Sequence, residues 1–218
     1  MIPSADHPAP LARPPARERP AADPGCAGCP QLGTFRALRR AGVEVQGGLG
    51  CDRAAGRDLS PSPGRWAAVA GAAELSRRGA LALVAEASRA GARLLVLADR
   101  SPADGGARLE ALLAASGLRV ERLDPSDLWA TEDAVRRAAD RGTATALLAL
   151  SPCARGARHA PAFAIDPSRC NRCGACIGLA CPAISDPGGE ALAIDPAVCT
   201  GCGLCAPLCR PRAIAVGV

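Results

Sequence analysis

The sequence predicts an α/β unit with a mostly parallel sheet, followed by a small cysteine-rich unit of the α+β class. Strand-length apolar runs alternate with helical patterns between residues 25 and 155. Residues 165–218 contain two copies of one cysteine pattern, and a short linker joins the two units. Residues 1–24 are rich in Pro, Ala and Arg without apolar periodicity, so we expect this segment to be disordered.

The α/β unit is expected to open with a helix at residues 34–40 and a strand at residues 43–46. Residues 66–90 are rich in Ala and Leu, which predicts a helix with a break near Gly79. A loop with several Pro and Gly residues separates this helix from the first strand.

The rest of the α/β unit alternates strands with helices. We expect strands at 93–98, 118–123 and 143–150, and helices at 105–116 and 132–140. Thr131 is a suitable N-cap for the last helix, with Glu132 and Asp133 in its first turn. Strands that alternate with helices form parallel sheets, because each crossover helix packs on a face of the sheet.

The cysteine pattern of the C-terminal unit is C-x2-C-x2-C with a fourth cysteine a few residues later, and it occurs twice. Three thiolates so close in sequence hold three corners of one cuboidal cluster, and the fourth normally ligates the other cluster. The spacing therefore predicts two [4Fe–4S] clusters, as in bacterial ferredoxins. The expected ligands are Cys170, Cys173, Cys176 and Cys209 for the first cluster, and Cys199, Cys202, Cys205 and Cys181 for the second.

Two details depart from the usual bacterial run. Four residues, instead of three, precede Cys181, and Arg210 separates Cys209 from the Pro that usually follows directly. Other sulfur chemistry suits the pattern less well. A zinc site uses two CxxC pairs, and a disulfide framework needs a secreted chain.

Composition excludes several classes of function. The chain has 218 residues, twelve cysteines and a formal net charge of +5. Each bound cluster contributes a charge of about −2, so this mild basicity does not indicate nucleic-acid binding. The first residues contain no apolar signal region, and no run of about 18 apolar residues occurs. We expect a cytoplasmic protein that neither binds nucleic acid nor inserts into a membrane.

Four cysteines lie outside the repeat: Cys26, Cys29, Cys51 and Cys153. Cys51 and Cys153 follow predicted strands, and the loops after parallel strands emerge at one edge of the sheet. The CxxC pair can join them there, which suits a third [4Fe–4S] cluster. A four-cysteine zinc site is the main alternative. The remaining alternative makes Cys51 and Cys153 small buried hydrophobic residues.

The order of motifs also resembles a known family. The segments are CAGCPQLGTFRALRRAG, GGLGC, ALALVAEASRAGARLLVLADRS, LLALSPC and the double cysteine repeat. Together they resemble the C-terminal part of the indolepyruvate ferredoxin oxidoreductase α subunit, a thiamine-diphosphate 2-oxoacid:ferredoxin oxidoreductase. The resemblance covers about residues 24–218. It implies a thiamine-diphosphate-binding-like domain, a ferredoxin-like domain, and a third cluster at Cys26, Cys29, Cys51 and Cys153.

The chain departs from this family at the thiamine site. Gln31 replaces a family His, and the segment before Cys51 reads Gly-Gly-Leu-Gly without the family acid. The family strand that ends in Gly-Asp-Gly or Gly-Asp-Ser, whose Asp binds Mg²⁺, is not found between the helix predicted from Trp66 and the segment ALALVAEASRAG. Asp99 stands where the family has a metal-binding Asn. We therefore expect neither thiamine diphosphate nor Mg²⁺.

Two main hypotheses of function follow. The first is an electron-transfer protein or subunit without thiamine catalysis, whose partners are redox proteins or other oxidoreductase subunits. The second is a truncated α subunit that completes an active indolepyruvate or other 2-oxoacid:ferredoxin oxidoreductase, so the sequence leaves open whether the chain is an enzyme. A cluster- or zinc-bearing structural or sensor protein is a third. The retained cysteines and the lost thiamine residues favour the first.

Overall fold

A computed structural model of the chain describes residues 26–48, 66–71, 79–89, 92–99, 106–141, 143–154, 161–189 and 191–217. Its helices are α1 Gln31–Arg40, α2 Ala80–Arg89, α3 Ala107–Ala115 and α4 Leu128–Asp140. None of the helices in these ranges has the length and apolar character needed to cross a membrane. The segment expected to be disordered, residues 1–24, and the ligand candidate Cys51 both lie outside the described residues.

Five described strands form one parallel sheet. They are β1 Glu44–Gly48, β2 Trp66–Gly71, β3 Leu94–Asp99, β4 Arg119–Leu123 and β5 Thr145–Leu150. Their order across the sheet is β1-β2-β3-β5-β4, and every neighbouring pair is parallel. The predicted α/β class with a parallel sheet is therefore confirmed.

Helices cover both faces of this sheet. Along β3, Leu94 and Val96 belong to one buried cluster, whereas Leu95 and Leu97 belong to another. This alternation follows from the two-residue period of a strand. The first cluster includes Phe35 of α1 and Val135 of α4, and the second includes Leu83 of α2 and Leu113 of α3. The unit therefore has three layers with aliphatic cores.

The prediction of a helix over residues 66–90 is wrong for its first part. Trp66–Gly71 is strand β2, which pairs with β1 on one side and β3 on the other. Only Ala80–Arg89 is helical, after the expected break at Gly79. Ala favours helices in isolation, but Ala67 and Val69 are buried in a strand enclosed between two others. Tertiary packing thus overrides local propensity.

The predicted start of the last helix is also wrong. Helix α4 begins at Leu128, because the Asp127 carboxylate accepts a hydrogen bond from the Ala130 N–H at 3.0 Å. Thr131 is fully buried within the helix, and its hydroxyl donates to the Asp124 carbonyl at 2.8 Å. Asp is at least as good an N-cap as Thr. The helix therefore begins directly after Asp127, the earlier of these two residues.

Residues 161–217 form a C-terminal unit with very short strands. These are β6 Phe163–Ile165, β7 Ile184–Ser185, β8 Ala193–Ile194 and β9 Ile214–Val216, with single-turn 3-10 helices at Ile177–Leu179 and Ala206–Leu208. Strand β6 pairs antiparallel with β9, and β7 pairs antiparallel with β8. The strand that opens the first half therefore pairs with the strand that closes the second, which interlocks the two halves.

The C-terminal unit packs against the first turns of α1 and α4. Leu32 and Leu128 share a buried cluster with its leucines and isoleucines. The Arg39 guanidinium donates a hydrogen bond to the Gly178 carbonyl at 2.9 Å. The start of α1 is itself fixed to the sheet, because the Gln31 side chain donates to the Ala149 carbonyl of β5 at 3.0 Å. The domain boundaries at residues 25–155 and 165–218 stay predictions.

A half-buried ion pair joins α1 to α4. Glu132 accepts hydrogen bonds from Arg36 at 2.7 Å and from Arg40 at 2.6 Å. The Arg36 side chain is only 6% exposed and the Glu132 side chain 17%. Burial alone raises the pKa of Glu132, but the hydrogen bonds from both guanidinium groups outweigh it and hold the pKa below its usual range.

We predict that Glu132→Gln lowers the free energy of unfolding by about 2 kcal/mol at pH 7, because charged hydrogen bonds to a buried guanidinium are lost. Asp133→Asn is the matched control, since its partner Arg136 is exposed and the change costs less than about 1 kcal/mol. Glu132 has a depressed pKa, so its contribution exists at neutral pH and disappears as pH falls below about 4. Urea unfolding of both variants at pH 7 and pH 3 measures these changes in the free energy of unfolding. Equal effects of the two substitutions at pH 7 would contradict it.

Candidate metal centres

The eight cysteines of the repeat line two pockets in the C-terminal unit. The first pocket has about 290 Å³ of empty space, and its cysteines are Cys170, Cys173, Cys176 and Cys209. The second has about 350 Å³, and its cysteines are Cys181, Cys199, Cys202 and Cys205. The structure thus brings together each predicted set of four, with the fourth cysteine of each half at the pocket of the other. That these residues are ligands stays a prediction.

A turn built on aspartate precedes the first cysteine of each half. The Asp166 carboxylate accepts from the Ser168 N–H at 2.9 Å, and the Asp195 carboxylate accepts from the Ala197 N–H at 2.8 Å. The carbonyls of the same aspartates accept from the N–H groups of Cys170 and Cys199 at 3.1 and 2.9 Å. Asp side chains favour such local turns. The repeated aspartate therefore directs the backbone of each half toward the first cysteine of that half.

The loops between the cysteines contain repeated left-handed residues. Gly174 and Gly203, each the residue after the second cysteine, have φ of 74° and 76°. Between the first two cysteines, Gly201 has φ of 74° and Arg172 has φ of 53°. Arg172 holds this strained conformation because its guanidinium bonds to the Gly189 carbonyl and, at 2.6 Å, to Asp186. Both halves therefore wrap their pockets with the same backbone path.

The two departures from the usual cysteine run coincide with left-handed residues. Ala180, within the four-residue gap before Cys181, has φ of 58° and ends the first 3-10 helix. Arg212, after Cys209, has φ of 54°, and the next residue, Ala213, donates its N–H to the Cys209 sulfur at 3.2 Å. The irregular spacing is thus absorbed by the backbone, and both fourth cysteines still reach a pocket.

Burial keeps the deepest thiols protonated when nothing compensates a thiolate charge. Burial, reinforced by the neighbouring Cys173, raises the pKa of Cys176 to about 11. Burial, reinforced by Cys202, raises the pKa of Cys205 to about 12. Metal ligands must be deprotonated, so a positively charged group in the pocket has to supply the missing charge.

Four thiols line each pocket, but among the residues that the structure describes no group of three or more His, Cys, Asp or Glu side chains is placed to hold a metal ion. Zinc sites and [4Fe–4S] clusters both use thiolate ligands, so the four thiols of a pocket are compatible with either.

The second pocket is completed by the α/β unit. Ala27, Gly28 and Leu32 line it, whereas the first pocket is lined by the C-terminal unit alone. Burial raises the pKa of Cys181, and the backbone N–H groups of Ala183 and Gly28 partly oppose this by hydrogen bonding to its sulfur. Gly28 has φ of 77°, and a Cβ there would lie 2.2 Å from the Thr200 hydroxyl. The CxxC loop is therefore in direct contact with the second pocket.

The remaining predicted ligands are only partly placed. Cys26 is exposed, and Cys29 is half-buried between the sheet core and the C-terminal core. Cys153 follows β5, at whose end the Gln31 bond holds the start of α1, so the CxxC loop and Cys153 share one edge of the sheet. Cys153 is exposed, so its interpretation as a buried hydrophobic residue is wrong. Cys51 is outside the described residues, so the common site of these four cysteines stays a prediction.

The residues expected at a thiamine site have other roles or are missing. The Gln31 side chain is buried, with 4% of the residue exposed. Its amide nitrogen donates to the Ala149 carbonyl, and its amide oxygen accepts from the Thr34 hydroxyl at 2.9 Å. Strand β2 ends at Gly71, and the next residue in the sequence is Ala72, which is not an acid. Asp99 is the last residue of β3.

Sequence reasoning gave no role to Thr200 or to Gly28. Their contact depends on how the two units dock, and no local pattern encodes it. Comparison with protein-family models, curated proteins and solved structures finds no match to this chain. The functional conclusion therefore depends on the chemistry of the pockets.

We predict that Gly28→Ala destabilises the chain by more than about 2 kcal/mol, because a left-handed Ala costs about 1 kcal/mol and the methyl group also overlaps the Thr200 hydroxyl. Gly42→Ala is the matched control. Its φ is 65° with nothing within 4 Å of the added Cβ, so only the backbone cost of about 1 kcal/mol remains. Urea unfolding of both variants measures the difference. Equal losses would show that Gly28 does not contact Thr200.

Proposed function

We propose that this chain is an iron–sulfur electron-transfer protein, or the electron-transfer subunit of an oxidoreductase, with one [4Fe–4S] cluster in each four-cysteine pocket. The observation that carries the proposal is the sorting of eight cysteines into two sets of four, each with three from one half and one from the other. This exchange of the fourth ligand is typical of two-cluster ferredoxins. The C-terminal unit is accordingly proposed to be ferredoxin-like.

The chemistry of the pockets supports this cofactor. Soft thiolates are the ligands of iron–sulfur clusters, and the cationic iron of a cluster would compensate the four buried charges. The Ala213 N–H that points at the Cys209 sulfur is the kind of hydrogen bond that such sulfurs accept.

The chain's own residues hold and insulate the clusters. A bound [4Fe–4S] cluster supplies one-electron transfer near neutral pH without a protein radical. Around the first pocket, Ile165, Leu192, Leu208 and Ile214 exclude water and lower the local polarity. The two pockets share one buried cluster of apolar side chains, which keeps them in a fixed relation. Redox partner proteins, or other oxidoreductase subunits, would deliver and remove electrons in the cytoplasm.

A third [4Fe–4S] cluster at Cys26, Cys29, Cys51 and Cys153 extends the proposal. Its support is the common edge of the sheet at which the CxxC loop and Cys153 are found. Zinc at these four residues is the alternative, since a single site from three loops suits either. In both cases the site would adjoin the second pocket through Ala27 and Gly28.

The α/β unit is proposed to be a degenerate thiamine-diphosphate-binding-like domain without thiamine or Mg²⁺. This follows the resemblance to the indolepyruvate ferredoxin oxidoreductase α subunit. The presence of β2 favours the resemblance in fold, and it keeps a second candidate open, namely a truncated α subunit of an active 2-oxoacid oxidoreductase. The Ala72 that follows the strand and the inward-facing Gln31 favour loss of that chemistry. Stoichiometric thiamine diphosphate in purified protein would favour the second candidate.

We predict that Cys176→Ser and Cys205→Ser each remove one cluster, because a hydroxyl is a poor ligand for iron compared with a thiolate. Each variant is expected to lose about four iron and four sulfide per chain, and the double variant about eight. Cys153→Ser is the control, since Cys153 lines neither pocket. It should keep both clusters of the C-terminal unit. Unchanged iron in both single variants, measured on anaerobically purified protein, would sink the proposed function.

A further inference from the structure

The second pocket contains a hydroxyl without a partner. The Thr200 side-chain oxygen is buried and has no hydrogen-bond partner among the residues that the structure describes. Thr200 lines the second pocket between Cys199 and Cys202. Buried hydroxyl groups almost always form hydrogen bonds, so this one points to an acceptor that the described residues do not provide.

The first pocket has no such group at the corresponding position. By the repeat, Thr200 corresponds to Asn171, the residue after the first cysteine of the other half. Asn171 is exposed, and its side-chain oxygen accepts the Cys173 N–H at 3.3 Å. The two pockets are therefore similar in their thiols and different in their hydrogen-bond donors.

The CxxC loop covers this hydroxyl. A Cβ at Gly28 would come within 2.2 Å of the Thr200 oxygen, so the glycine backbone lies directly over it. The Gly28 N–H already donates a hydrogen bond to the Cys181 sulfur, so it forms no hydrogen bond with the Thr200 oxygen. Water is excluded on that side, and the pocket is where an acceptor for the Thr200 hydroxyl would be found.

We propose that the Thr200 hydroxyl donates a hydrogen bond to a sulfur atom of the cluster in the second pocket and raises the reduction potential of that cluster. This inference rests on the proposed function. A one-electron reduction adds negative charge to the cluster, and a fixed donor stabilises the reduced form more than the oxidised form. Thr200 acts as a positioning residue that stabilises the reduced form of the second cluster.

Thr200→Val and Thr200→Ser test the proposal. Valine has nearly the same shape without the donor, whereas serine keeps the hydroxyl. Redox titration followed by electron paramagnetic resonance gives both potentials, and the couple that is absent in Cys205→Ser protein belongs to the second pocket. Loss of one hydrogen bond is expected to change that reduction equilibrium about tenfold, which lowers the potential by about 59 mV in Thr200→Val. Thr200→Ser should restore it, and Asn171→Ala should leave it unchanged.

A second experiment detects the Thr200 hydroxyl proton directly. Electron–nuclear double resonance of reduced protein in H₂O should show a proton signal near the second cluster that disappears in D₂O, that is missing in Thr200→Val and that is retained in Thr200→Ser. An unshifted couple in Thr200→Val, or equal shifts in both Thr200 variants, overturns the inference while the proposed function stands. Protein without iron in either pocket overturns both. Iron content, measured first on every variant, separates these outcomes.

Discussion

The C-terminal unit depends on its eight thiols, because it has little else with which to build a core. Its strands are two or three residues long, and its helices are single turns. A unit shorter than about 70 residues rarely gains more than a few kcal/mol from apolar burial alone, and natural examples add disulfides or metals. Here the central buried cluster contains Cys176 and Cys205 among leucines and isoleucines. Under the proposed function, the clusters bound by these cysteines would contribute to the fold as well as to electron transfer.

The second pocket depends on residues of the α/β unit as well. Gln31 fixes the start of α1 to β5, Leu32 packs into the C-terminal core, and Gly28 closes the second pocket. The first pocket belongs to one unit and the second to both. Under the proposed function, a cluster in the second pocket would exchange electrons with a site at the CxxC loop, and its environment would change if the two units separated.

Much of the site was predictable because cysteine spacing is a strong local signal. The repeat assigned eight cysteines to two sets, and the structure gathers the same sets. The parallel sheet was also predictable, but β2 was missed because its alanines favour a helix until neighbouring strands enclose them. The start of α4 was missed because Asp127 and Thr131 are both acceptable caps. The contact between Gly28 and Thr200 was beyond local patterns, since docking of two units creates it.

The central claim is that the two pockets hold iron–sulfur clusters, and metal analysis of anaerobically purified protein tests it most directly. Iron, acid-labile sulfide and zinc are measured per chain on the same sample. The proposed function predicts about eight iron and eight sulfide, rising to about twelve of each if Cys26, Cys29, Cys51 and Cys153 also hold a cluster. Zinc without sulfide, or protein that is folded and free of metal, would contradict it.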